Sequence, residues 1–322
     1  DEQRVAVKRA GALAGIHVER IVNEPSAAAL ASYFTANEEQ NMLVFDFGGG
    51  TLDVSLVDCF DTMVEIVSVA GNNRLGGGDF DRLIAEHFLR EHGVARQQLR
   101  AQEYAVLLKQ AERCKKLLSE QEEVVMHAMV GDQVYESTYT MDRLFEESKA
   151  LLKEIRQVIG RALKDGKMTI HDVDLVVMAG GSSKMPLIQK YIRHLFHKAP
   201  MVQGNCDELI ALGLGLVCGV KERKEEIKDY ILTDICPFSL GVATINEADP
   251  DRAYMANIIN RNTVLPCSRV RRFYTASDQQ DYVVVEVHQG ENTYAQDNLL
   301  LGKIEISVSY THLRAHETLA NL

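Results

Sequence analysis

Three glycines set between two aspartates are the residues of this chain best suited to chemistry. In Phe45-Asp46-Phe47-Gly48-Gly49-Gly50-Thr51-Leu52-Asp53 the glycines let the backbone turn tightly and present N–H groups to an anion. Asp46 and Asp53 flank the turn. Two carboxylates beside a phosphate repel it unless a hard cation such as Mg²⁺ lies between them. Thr51 adds a hydroxyl where a terminal phosphate would reach. The same residues also suit a plain glycine hairpin with solvated aspartates, and glycines alone would favour that. The paired aspartates in a strand–turn–strand setting tip the balance toward a phosphate and a cation. A Walker-type loop is excluded, because it needs G-x-x-x-x-G-K-[ST] followed by a helix.

A second segment, Val177-Met178-Ala179-Gly180-Gly181-Ser182-Ser183-Lys184-Met185-Pro186, ends a strand in two glycines and opens a helix. Close backbone approach and a helix N-terminus together suit a nucleotide's phosphate or sugar. The alternative is a tight strand-to-helix turn.

The elements that must position these residues follow from periodicity. Glu2 to Ala14 reads as a helix stopped by Gly15, Val18 to Val22 as a short strand, and Ser26 to Tyr33 as an alanine-rich helix behind Pro25. Met42 to Phe47, Leu52 to Val57 and Val64 to Val69 predict a meander with the glycine turn at its tip. Helices are expected over Asp79–His92, Tyr104–Leu118, Met141–Leu163, from Pro186, and over Leu209–Val220, with short strands in Val124–Tyr139 and a buried one at Leu175–Met178. From Ile235 to Ile306 short β-rich stretches dominate and no helix is expected. The boundary falls near Asp229.

Composition bounds the function classes. The 322 residues are enough for two domains. A net charge of -11 argues against a nucleic-acid partner, which would need clustered Lys and Arg. No run of 18 apolar residues is present to predict a membrane span. Asp1-Glu2-Gln3-Arg4 lacks a signal peptide's apolar stretch. The six cysteines are scattered without C-x-x-C spacing, so the expectation is a reducing cytoplasm with no disulfide or metal framework.

Several motifs occur in the order and spacing of one family. Asn23-Glu24-Pro25-Ser26-Ala27-Ala28-Ala29, the Asp46–Asp53 segment, Leu75-Gly76-Gly77-Gly78-Asp79-Phe80-Asp81 and the Gly180–Pro186 segment resemble DnaK-type chaperones of the 70-kDa heat-shock class. Asp229-Tyr230-Ile231-Leu232-Thr233-Asp234 looks like that family's interdomain linker. Pro237-Phe238-Ser239-Leu240-Gly241 looks like the first strand of its peptide domain. Ile231–Pro237, Arg261-Asn262-Thr263 and Gln289-Gly290-Glu291-Asn292 look most like the bacterial HscC branch. The resemblance covers residues 1–306.

It implies an α/β ATPase of the actin/hexokinase type (lobe II plus the end of lobe I) over 1–228. A linker over 229–234 and part of an all-β peptide-binding sandwich over 235–306 would follow. It implies ATP/ADP and Mg²⁺ as cofactors and a slow, stress-related, ATP-driven chaperone cycle on exposed hydrophobic peptides. A J-domain co-chaperone and a nucleotide exchange factor would be partners. The rival class is a non-chaperone ATPase of the actin or sugar-kinase fold, which would lack the linker and β region.

By the same resemblance, Glu24 would help hold the metal's water shell and the attacking water. Asp46 would orient that water, Thr51 would touch the γ-phosphate, and Asp46 and Asp53 would hold Mg²⁺ through its waters. Gly48, Gly49 and Gly50 would serve the phosphates. Glu112, Lys115 and Ser119 would hydrogen-bond the ribose or adenine, and Lys116 would stack on the base. Gly180, Gly181, Ser182 and Lys184 would complete the nucleoside pocket with Asp207 nearby. Ile245 and Ala276 would arch over bound peptide, with Phe273, Val283 and Val285 lining the cleft. Read without the family, Glu24 is a surface residue before a helix, Glu112–Ser119 a solvated helical face, and the β-region residues strand core.

The sequence departs from the family in places. Lys116 and Lys184 stand where arginine is usual, and arginine stacks on a base better. Gly78 replaces an acidic residue. The family's first phosphate loop, catalytic lysine, last β-strands and lid have no counterpart, so the expectation is a fragment not competent as an ATPase by itself. Residues 307–322 read as translated adapter sequence rather than as part of the fold.

Overall fold

The computed structural model describes residues 2–307, apart from 37, 132, 203–205, 226, 228, 247–248 and 276–279. The tail reading therefore falls almost wholly outside the described residues. The chain divides into two units, Asp1–Glu65 with Ala70–Leu232 and Ile66–Val69 with Thr233–Leu322.

The first unit begins with α1 (Glu2–Leu13) and α2 (Glu24–Ala36), then the strands β1 (Gln40–Phe47), β2 (Leu52–Phe60) and β3 (Met63–Asn72). Next come α3 (Gly77–Glu91), α4 (Ala101–Leu117), the hairpin β4 (Glu123–Val130) and β5 (Gln133–Thr140), α5 (Met141–Glu147) and α6 (Lys149–Asp165). Strand β6 (Leu175–Ala179), α7 (Pro186–Phe196) and α8 (Leu209–Lys221) complete it. Its main sheet runs β3-β2-β1-β6. Strand β1 is antiparallel to β2 and parallel to β6. Met42 to Phe45 are at most 1% exposed, the unbroken burial expected of a strand covered on both faces. The aliphatic and small residues of α2 cover the sheet, and α2 also packs on α8. Pro25 sits in the first turn of α2, where its missing N–H costs nothing.

Two local expectations differ from the structure. Val18 to Val22 form no strand. Instead the Val18 side chain lies over Gly11 of α1, so close that a Cβ there would collide with it. β-propensity without a partner strand leaves backbone groups unsatisfied and does not make a strand. The expected helix over Met141–Leu163 is two helices parted at Ser148. The Ser148 hydroxyl bonds the Leu144 carbonyl, and its backbone N–H bonds the same carbonyl at 3.0 Å. Serine competes with the helix ladder in this way. Thr140 caps α5 by accepting from the Arg143 N–H at 3.2 Å.

The second unit contains β7 (Ile231–Ile235, from Thr233 on), β8 (Leu240–Asn246), β9 (Asp249–Ile259), β10 (Val264–Leu265), β11 (Tyr282–Gln289) and β12 (Leu299–Ser307). One antiparallel sheet runs β12-β11-β8-β9. Its core is Val242, Ala256, Ile258 and Ile259, with Leu240, Phe273 and Val285 packed against it. Strand β7 lies between β10 and β3, whose Ile66–Val69 stretch belongs to this unit. The Arg261 guanidinium donates to the Val69 carbonyl at 2.7 Å. Among the described residues the only helical element here is the short turn Ala295–Asp297.

Candidate functional site

The site grows from the register of β1 and β2. Asp46 lies directly opposite Asp53, and Phe47 opposite Leu52, so the two carboxylates leave the same face of the sheet at adjacent positions. Asp46 is also paired with Ala179 of β6, which brings the Gly180 turn alongside. A Cβ on Gly180 would fall 2.6 Å from Asp46 Oδ1, and one on Gly71 would fall 2.5 Å from Asp53 Oδ1. Gly180 has φ of +79°, a conformation that glycine adopts without strain. Glycines thus crowd both carboxylates with backbone alone.

Glu24, the first residue of α2, completes an acidic trio. Burial first, then the charges of Glu24 and Asp53 and a hydrogen bond with Glu24, push the Asp46 carboxyl up to about 6. Burial and then Glu24 also raise Asp53. A pocket that destabilises its own negative charge is one a hard cation would relieve. Among the described residues no group of three or more His, Cys, Asp or Glu is arranged to ligate a metal directly.

The turn Gly48–Thr51 closes with the Gly48 N–H donating to the Thr51 carbonyl at 3.0 Å. A second glycine run stacks upon it. The Gly77 and Gly78 N–H groups donate to the Gly48 and Gly49 carbonyls at 3.0 and 2.8 Å. A Cβ on Gly76 would lie 2.5 Å from the Gly49 carbonyl carbon. The Gly76 N–H is bound by Asp79 Oδ2 at 2.7 Å, which starts α3. The stacking of this run on the first turn has no signal in the sequence.

Lys115 ties α4 to this layer. It is 7% exposed, and its ammonium meets Asp81 Oδ1 at 2.7 Å and the Gly77 carbonyl at 2.8 Å. Ser182 lies against Gly77, closer than a side chain at 77 would allow. Asp81, which the sequence reading gave no role, is raised by burial and held down by Lys115, with burial the larger effect. Lys184 pairs with Asp207 at 2.5 Å, and a Cβ on Gly181 would sit 3.2 Å from Asp207 Oδ1. Lys116 pairs with Glu112 at 2.6 Å on the exposed face of α4, beside a groove that Arg113, Leu117 and Glu120 help line. Ser119 is exposed just past the end of α4.

In the second unit, Ile245 on β8 is 65% exposed. Phe273 and Val285 pack on the core, and Val283 is half-buried two residues before Val285 on β11. Ala276 lies outside the described residues. No helix among the described residues is long and apolar enough to cross a membrane.

Compared with models of known families, residues 1–311 match the one described as Hsp70 protein, a span that takes in the first unit and most of the second.

Proposed function

The chain belongs to the Hsp70 family, a family of chaperone ATPases, and from that premise we propose that its first unit is the larger part of a Mg²⁺·ATP site. We propose further that its second unit is part of a β-type peptide-binding domain. The observation that carries the reading is the Asp46–Asp53 register pair, with Glu24 coupled to both at a glycine turn. The glycine N–H groups would bind phosphate oxygens. Asp46 would orient the attacking water and Thr51 would meet the terminal phosphate. Asp53 and Glu24 would hold the water shell of Mg²⁺, which when bound offsets phosphate charge. Lys115, Ser182 and Gly181 would take the nucleoside, with Lys116 and Lys184 on its outer side.

The whole protein would be a cytoplasmic chaperone, close to the HscC branch, gripping extended apolar peptides near Ile245, Phe273, Ala276, Val283 and Val285. A J-domain co-chaperone and an exchange factor would drive its cycle. A sugar kinase or actin-like ATPase has no counterpart of the second unit, and the family match extends over most of that unit. The test is ATP binding and single-turnover hydrolysis by the full-length protein with Mg²⁺. Glu24→Ala and Thr51→Ala should slow turnover by about 10- to 100-fold while binding weakens far less, because these groups act on the reacting phosphate. Parental turnover in both variants would refute the assignment.

A further inference from the structure

Helix α6 carries its charges on separate flanks. Lys149, Lys153, Arg156, Gly160 and Lys164 follow one another at steps of three or four residues and line one side. Glu154 and Asp165 fall on the other. Helix α7 lies beside the basic flank. The Tyr191 hydroxyl donates to the Leu152 carbonyl at 3.0 Å. Burial raises that hydroxyl and the charge of Arg156 opposes the rise, which places the guanidinium at the seam of the two helices. Lys190, Arg193 and His194 occupy the exposed face of α7 and extend the basic surface. Residues 149–198 hold ten Lys or Arg against four Asp or Glu, in a chain whose net charge is -11.

Exposed cations elsewhere in the first unit, such as Arg82, Arg100, Lys116 and Lys184, each pair with a carboxylate. Among the described residues no carboxylate pairs with Lys153, Arg156, Lys164, Lys190 or Arg193, all of them exposed. Lys149, at the start of α6, is paired with Glu146. Gly160 leaves open space between Arg156 and Lys164, so a chain can settle along the stripe without meeting a side chain there. From Lys153 to Lys164 the stripe runs about 16 Å, the length of roughly five residues of extended chain. Among the described residues no large apolar side chain is exposed between Phe145 and Val202. The face therefore offers nothing to insert into a lipid layer or to stack on a base. Lysine and arginine heads alone match carboxylates, and Arg156 and Arg193 add forked donors that carboxylates fit.

We propose that the α6–α7 face, through Lys153, Arg156, Lys164, Lys190 and Arg193, is a docking surface for an acidic segment of a partner protein. The proposal is independent of the ATPase reading. It is tested in the full-length protein by fluorescence anisotropy with a labelled glutamate octapeptide, beside a lysine octapeptide, phosphatidylglycerol vesicles and a uridine octamer. The glutamate peptide should bind, and added salt should weaken it. Lys153→Glu with Arg156→Glu should weaken it by roughly tenfold or more, and Lys190→Glu by roughly threefold. Arg100→Glu makes the same change of charge at an exposed, already paired position of α4 and should leave binding at the parental value. These side chains are exposed, so thermal melts of the variants should match the parent. No binding of the glutamate peptide would overturn the proposal. An equal loss in Arg100→Glu would show that total charge and not this face is read. Tighter binding of the vesicles or the uridine octamer, lost in the same α6 variant, would overturn the assignment to an acidic polypeptide.

Discussion

Asp46 has an ordinary carboxyl value of 3.8 that the folded chain pushes up to about 6. Between those two values the folded state binds a proton that the unfolded state has released, so this group's contribution to stability falls as pH rises. Above the folded value the cost is present in full. Asp46→Asn should therefore stabilise the first unit at neutral pH without divalent cations, by about 1–3 kcal/mol, and the gain should vanish near the unfolded value. Thermal melts across pH would show it, and a gain that grew toward acid would contradict the repulsion argument. Burial raises Asp81 as well, despite Lys115 beside it, but here the carboxylate has a buried partner. Their side chains are 15% and 8% exposed and paired at 2.7 Å. Asp81→Asn leaves a buried ammonium and should cost about 3–5 kcal/mol. Asp81→Leu with Lys115→Met should recover most of that in urea titrations while nucleotide binding stays impaired. Recovery of binding as well would remove Lys115 from the site.

Two glycine runs, Gly48–Gly50 and Gly76–Gly78, form a layered element in which Gly76 and Gly77 have room for backbone only. Gly76→Ala should cost about 1–3 kcal/mol by overpacking and weaken ATP binding in calorimetry by displacing Gly49. Gly49→Ala has open space around its Cβ and should cost far less stability. Equal effects would mean that the layers can part freely. The first layer was legible in the sequence because its glycines sit between alternating strand residues with an aspartate on each side. The second was not, since Gly77 meets Ser182 and Lys115 across the fold and sequence spacing carries no such distance. Strand β1, α7 and α8 were readable from apolar runs and from Pro186. The irregular course of Val18–Val22 and the break at Ser148 are not legible, because one lacks a partner strand and the other ends a helix through a side-chain hydrogen bond. The pairing of Asp46 with Asp53 required the register of β1 and β2, which the symmetric turn only hinted at.

For the whole molecule, the proposed reading makes the segment Tyr230–Asp234 the element that would couple a nucleotide site to a peptide site. Ile231 is 53% exposed and its N–H is already engaged by Thr62. Ile231→Asp with Leu232→Asp in the full-length protein should abolish peptide stimulation of hydrolysis and leave basal ATP binding near the parental value. Burying one such side chain is worth about 1.5–3 kcal/mol, enough to tilt a two-state equilibrium tenfold. Retained stimulation would remove this segment as a coupling element. The division of the chain has a practical side as well. Ile66–Val69 belongs with the residues after Leu232, although more than half the sequence lies between them. A gene cut at Thr233 would seem clean on paper, yet the excised β region would lose the strand beside β7. That bare edge would invite pairing with another copy, so aggregation of the excised region during expression would report a missing neighbour rather than an unstable fold.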